Sequence, residues 1–224
     1  MQSVVKQLRR ALVVMPLALA FSQGVMAETV VRYGISMADI PLTTGQPDRG
    51  AGAYQFTGHT IYDPLVAWES NIATRPGKLV PGLATEWKPD VKDPRKWTFT
   101  LRPGVKFHDG STLNADAVLW NLDKVLNDKS PQFDAKQSAQ VRPRIPSVAS
   151  YKKVSDTVVE ITTKDVDALF PYQLPWFLIS SPTQWEKLGK DWAKVAFQPS
   201  GTGPFKLDKL VPRERVELVK NAAY

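Results

Sequence analysis

Apolar and polar positions alternate most cleanly at Trp97–Leu101 (WTFTL), where Trp97, Phe99 and Leu101 are separated by threonines. A period of two puts those three side chains on one face, the pattern of a half-buried strand. Arg102-Pro103-Gly104 predicts a turn, Val105–Phe107 a short second strand, and His108-Asp109-Gly110-Ser111 another turn. Beyond it the period changes. Val118, Leu119, Leu122, Val125 and Leu126 recur at helical spacing, Asn114 stands where an N-cap belongs, and Asp116 lies near the positive end of the helix dipole. A helix from Asn114 to about Leu126 is expected.

Downstream, Ser147–Lys153 and Thr157–Thr163 predict a hairpin turning at Val154-Ser155-Asp156. Asp165–Leu174 reads as a short helix interrupted by Pro171. Pro182–Gly189 reads as another, with Pro182 in its first turn and Gly189 after its end. Phe205–Leu210 and Arg215–Val219 predict a strand pair around Pro212. Upstream, Val30–Ile35 predicts an opening strand, Ser36–Gly52 a turn-rich stretch, and Tyr54–Leu65 a helix stopped or bent near Pro64. Strands and helices interleave irregularly, which points to an α/β or α+β chain.

The first 27 residues follow a different logic. Lys6, Arg9 and Arg10 precede an apolar run, Ala11–Phe21, and a short polar piece ends in Val25-Met26-Ala27. That is the layout of a secretory signal, with cleavage expected after Ala27. The apolar run is too short for a membrane span, which takes about 20 residues. The chain has no Cys, which removes disulfides, thiolate nucleophiles, thiolate metal sites and a lipidated cysteine. Without Lys6, Arg9 and Arg10 the formal charge falls from +7 to +4. The remaining excess is dispersed, as at Lys152-Lys153 and Arg213–Arg215, so no nucleic-acid partner is expected.

Candidate chemistry is sparse. The histidines are His59 and His108, too far apart for a metal-binding spacing, and no G-x-S-x-G elbow occurs. Gly201-Thr202-Gly203 is followed by a predicted strand where a phosphate loop needs a helix, so its glycines are read as permitting a tight turn. Two loops combine aromatic and polar groups. One, Met37–Phe56, carries Met37, Asp39, Tyr54 and Gln55. The other, Pro175–Ser181, carries Trp176 and Phe177. Either could line a cleft, and core packing explains Trp176 and Phe177 equally well.

The stretch Leu79–Ser111 (LVPGLATEWKPDVKDPRKWTFTLRPGVKFHDGS) resembles the signature of the family 5 extracellular solute-binding proteins, the peptide and nickel receptors of ABC importers. Leu113–Leu119, Ile145–Val148, Asp156–Ile161, Ser200–Leu207 (SGTGPFKL) and Leu218–Tyr224 (LVKNAAY) resemble later motifs of that family, in order. The resemblance implies an α/β fold of the periplasmic-binding-protein type (type II, cluster C). Residues 28–224 would form a first lobe with a subdomain inserted at about Tyr54 to Ser180. The second lobe would be absent, making the chain an N-terminal fragment that binds ligand weakly or not at all by itself. By the same resemblance, Met37, Asp39, Tyr54, Gln55 and Trp176 would contact a peptide or other small molecule. There would be no catalytic residue, metal or cofactor. The partner would be an inner-membrane ABC permease, the location the periplasm and the state monomeric. The Asp39-Ile40-Pro41 segment departs from the peptide receptors' pattern, which leaves nickel chelates, opines, sugars and haem-like compounds open as ligands. The alternatives are a secreted hydrolase, which would need a histidine beside a serine and a carboxylate, and a stand-alone periplasmic interaction module.

Overall fold

Trp97, Phe99 and Leu101 do share one buried face, and the structure grows outward from it. The structure, a computed structural model, describes residues 30–34 and 54–224. Two antiparallel pairs flank a larger sheet. β1 (Val66–Trp68) pairs with β2 (Leu79–Pro81). β3 (Ala84–Pro89), β4 (Lys96–Leu101), β5 (Val148–Ser155) and β6 (Val158–Thr163) form an antiparallel sheet in the order β3-β4-β6-β5. β7 (Phe205–Val211) pairs with β8 (Arg215–Lys220). The helices are α1 (His59–Ile61), which continues a π-helical turn at Tyr54–Gly58, then α2 (Ala115–Leu126), α3 (Ala135–Val141), α4 (Pro182–Lys187) and α5 (Trp192–Phe197).

The core lies between the apolar face of the four-stranded sheet and α2. Phe99, Leu101, Val159 and Ile161 pack with Val118, Leu122 and Val125, and Phe170, Leu174, Phe177 and Ile179 close the far side. α2 begins as the sequence predicts, with the Asn114 side chain accepting from the Ala117 amide at 2.9 Å. The hairpin β5–β6, the strand pair β7–β8 and helix α4, N-capped by Ser181, also match expectation.

One buried stretch holds the unit together. Phe177–Ser181 is buried throughout and meets α2 at Ser180, which Asn121 grips on both sides of its backbone. The Asn121 amide donates to Ser180 O at 2.8 Å, and its oxygen accepts from Ser180 N at 3.0 Å and Ser180 Oγ at 2.9 Å. A single asparagine thereby stands in for a strand partner, since buried backbone groups need one.

Several expectations are corrected. Residues 30–34 are exposed and form no strand, and Ile35 lies outside the described residues. Alternation makes a strand only where a neighbour completes the ladder, and no described strand pairs with this segment. The helix predicted at Tyr54–Leu65 ends at Ile61, with Tyr62 already extended, because the residue before Pro64 disfavours helical geometry. Val105–Phe107 is not a strand. Gly104 and Gly110 take φ of +76° and +87°, reversing the chain so soon that a single bridge, Lys106 to Thr112, is left.

The helix expected at Asp165–Leu174 is a 3₁₀ helix at Phe170–Trp176. Pro171 fits its first turn, while Pro175 lacks the amide that a longer α-helix would require there. Gly201 and Gly203 serve close approach and not a special φ. A Cβ at Gly201 would lie 2.0 Å from Ile61 O, and the Gly203 amide donates to that same carbonyl at 2.9 Å.

Candidate functional site

Tyr54 opens the π-helical turn and is buried, its hydroxyl donating to Pro175 O at 2.8 Å. That bond carries the tyrosine to the next residue along, Trp176. The two ring centres lie 5.1 Å apart at a 43° tilt, and His59 meets the other side of Tyr54 edge-on at 4.5 Å. Trp176 is 38% exposed, and the Arg144 guanidinium stands over its ring at 5.2 Å. Arg144 ends the 3₁₀ turn Arg142–Arg144 after α3 and donates to Gln140 O, which fixes its direction.

Burial pushes the Tyr54 phenol above its ordinary pKa and the Arg144 charge pulls partly against it, so the hydroxyl stays a neutral donor. Desolvation lowers the His59 imidazole below its ordinary value. At neutral pH the cluster therefore carries one positive charge, on Arg144, among aromatic faces. The same 3₁₀ helix also carries Tyr172, which pairs with Trp68 at 5.4 Å, and both rings are partly exposed. Such a surface offers flat apolar contact and a cation.

Of the residues singled out from sequence, Tyr54 and Trp176 come together. Met37 and Asp39 lie outside the described residues, as does the side chain of Gln55. Phe177 is fully buried, so the core reading holds for it, while its neighbour Trp176 reaches solvent. Arg144 was missed. Its neighbours Arg142 and Pro143 form no motif, and only folding brings it to Trp176.

The second histidine has a structural partner. His108 Nε2 lies 3.0 Å from Gly203 O and the His108 amide donates to Gly201 O at 2.8 Å, bolting the His108–Ser111 turn to the Gly201–Gly203 turn. Partial burial pushes the Asp109 carboxyl up, but hydrogen bonds from Ser111 and Ser181 together outweigh it and hold it below the ordinary carboxylate value. Serine, histidine and aspartate thus lie close in sequence without forming a relay. The imidazole is turned to a carbonyl, and the aspartate takes its bonds from serines.

A separate groove of about 570 Å³ is lined by Asp63, Arg102, Lys106, Lys206, Asn221 and Tyr224, among others. Asp63 accepts from Thr202 at 2.8 Å and Tyr224 at 3.4 Å, and burial raises its pKa. Neither Tyr54 nor Trp176 lines this groove. Part of its lining falls in LRPGVK, where the sequence predicts a turn and a short strand, and part in NAAY, which carries only a resemblance.

The fold is that of periplasmic binding proteins. The DppA periplasmic binding protein from Helicobacter pylori, solved with the peptide STSA, superposes with a TM-score of 0.67 at 24% identity, over 85% of this chain and 38% of its own. The family model of the bacterial extracellular solute-binding proteins, family 5 (Middle), matches residues 78–224, and the chain belongs to that family. A di/tripeptide-binding protein of Pseudomonas aeruginosa (strain UCBPP-PA14) is 30% identical over 94% of this chain and 42% of its own length. The glutathione-binding protein GsiB of Salmonella typhi is 36% identical over 57% of this chain and 23% of its own. The chain thus spans less than half the length of each of these relatives. Among the described residues no helix is long and apolar enough to cross a membrane.

Proposed function

We propose that this protein captures di- or oligopeptides in the periplasm for an ABC importer and hands them to an inner-membrane permease, with no covalent bond made or broken. One observation carries the reading: the 30% identity to a di/tripeptide-binding protein runs along 94% of the chain. The Tyr54–Trp176–Arg144 cluster supports it physically. A part-exposed indole packs on amide planes and on side chains of many shapes, which suits a receptor that accepts peptides of varied sequence. Met37, Asp39 and Gln55 complete this face in the proposal. A facing lobe supplies the remaining contacts and closes by a hinge.

The proposed organisation is a signal peptide at residues 1–27, a subdomain inserted at about 54–180 and a monomeric exported form. Mass spectrometry of the periplasmic protein should find Glu28 at the N-terminus, and an intact Met1 chain there would exclude export by cleavage. The ligand class is tested by calorimetry on the protein expressed from its own gene, titrated with a di- and tripeptide pool and with a nickel–histidine chelate. Saturable heat with peptides is expected. Heat with the chelate alone would overturn the peptide reading.

A further inference from the structure

Arg144 is the cation of the aromatic cluster, and it forms no ion pair with any carboxylate among the described residues. Its nearest described partners are neutral: Gln140 O, Gln140 Oε1 at 3.4 Å, and the Trp176 ring. Exposed Arg102 likewise donates only to a carbonyl, Gly82 O at 3.3 Å, but three other arginines differ. Arg75, Arg95 and Arg215 each pair with a neighbouring Glu or Asp. Arg144 is instead half-buried, with its backbone set by the 3₁₀ turn and its guanidinium held by Gln140 5.2 Å from the centre of an indole.

A guanidinium has five donors in a rigid fork that matches the two oxygens of a carboxylate. Gln140 takes only Nη1 of Arg144, which leaves the other donors of the fork for such bonds. The part-exposed indole then offers apolar contact beside the charge.

We propose that Arg144 reads a carboxylate of the bound ligand, so that this site takes ligands with an anionic end packed over Trp176. The proposal rests on the peptide-receptor reading above. In a peptide the carboxylate comes from the C-terminus or from an acidic side chain, and both present the same pair of oxygens. Tyr54, a neutral buried phenol already bonded to Pro175 O, supplies no competing charge. Arg144 is therefore a specificity residue, and its loss should change what is bound more than how well the chain folds.

The test uses the protein expressed from its own gene and three probes: tri-alanine, tri-alanine amide, and Ala-Ala-Glu amide, whose only carboxylate is in its side chain. The wild type should bind tri-alanine roughly tenfold more tightly than its amide, the size expected for one charge-assisted hydrogen-bonded pair. Arg144→Ala should bring that ratio to about one, and Arg144→Lys should retain part of it, because lysine keeps the charge and loses the fork. Equal thermal unfolding of the three proteins shows that the fold is kept. Recovery of affinity with Ala-Ala-Glu amide assigns a side-chain carboxylate, and no recovery assigns the C-terminus. A wild type that binds acid and amide equally, or an Arg144→Ala variant that keeps the wild-type ratio, overturns the assignment of Arg144 while leaving peptide binding intact. A wild type that binds none of the probes overturns the peptide reading itself, and this proposal with it.

Discussion

Lys124 Nζ donates to Ser180 Oγ at 3.0 Å while the lysine exposes no surface at all. The amine also lies 5.6 Å from the centre of the Trp192 ring, which packs at a tilt against Trp120 and Trp185. No carboxylate comes within ion-pair distance of it among the described residues. Burial lowers its pKa from the usual lysine value to about 7, and the charge of Asp134 only partly opposes the drop.

Between pH 7 and 10.5 the unfolded chain therefore holds a proton on this lysine that the folded chain has released. The sign follows. The penalty of burying the charged amine is fully present below about pH 7 and fades as pH rises towards the unfolded value. Stability should climb with pH across that window, by at most about 1.4 kcal/mol per pH unit from this group. Lys124→Met should flatten the slope and be the more stable protein at neutral pH. Urea unfolding at pH 6, 7, 8 and 9 measures it, and parallel slopes for the two proteins would refute the assignment.

Trp97 fills the sheet side of the core, 6.2 Å from the Phe170 ring, and opposes Ile161 across β6. Trp97→Ala should destabilise by about 3–5 kcal/mol, as for other buried aromatic truncations. Thr98→Ala, on the opposite face, should change stability by less than about 1 kcal/mol. Denaturant midpoints read both, and similar losses would contradict the facing.

Gly201 offers a sharper test of packing because the obstacle is backbone. A methyl group there would meet Ile61 O at 2.0 Å and the Tyr62 ring at 2.7 Å, and a carbonyl cannot swing aside as a side chain does. Gly201→Ala should cost about 1–3 kcal/mol by overpacking. It should also disturb the His108–Gly203 contact that the turn supports. An unchanged thermal midpoint would show that the Gly201 turn and Ile61 do not approach this closely.

Tyr54→Phe keeps the ring and removes the bond to Pro175 O. A loss of about 1 kcal/mol is expected for the hydrogen bond, with more if the carbonyl stays dry. Because Pro175 precedes Trp176, the indole should loosen and its fluorescence should shift to the red. Emission identical to wild type would mean that the tyrosine does not position the tryptophan.

The elements legible in the chain were those whose evidence is local. The threonine alternation around Phe99 declared a strand and its buried face, and Asn114 declared the start of a helix, because side-chain direction repeats with fixed local periods. β1, β2 and β3 went unread, although β3 carries Trp87, because mixed polar and proline-bounded segments become strands only when a partner supplies the ladder. α3 and α5 were missed for a related reason: their few apolar positions make sense only against α2 and the tryptophans it faces.

The candidate site divides in the same way. Aromatic residues in loops marked Tyr54 and Trp176 one at a time, with the core equally able to claim Trp176. Their meeting across a 121-residue separation between Tyr54 and Pro175, and the arrival of Arg144 above the indole, depend on where the chain crosses itself. The Pro175–Ser181 run shows the division most plainly. By composition it is one apolar stretch, yet Trp176 reaches solvent while Phe177, Leu178 and Ile179 are buried. The end of the 3₁₀ helix, the bridge of Leu178 to Pro64, the Ile179 amide bond to Asp63 O and the grip of Asn121 on Ser180 set the rotation of that strand of chain, and no local period encodes these contacts.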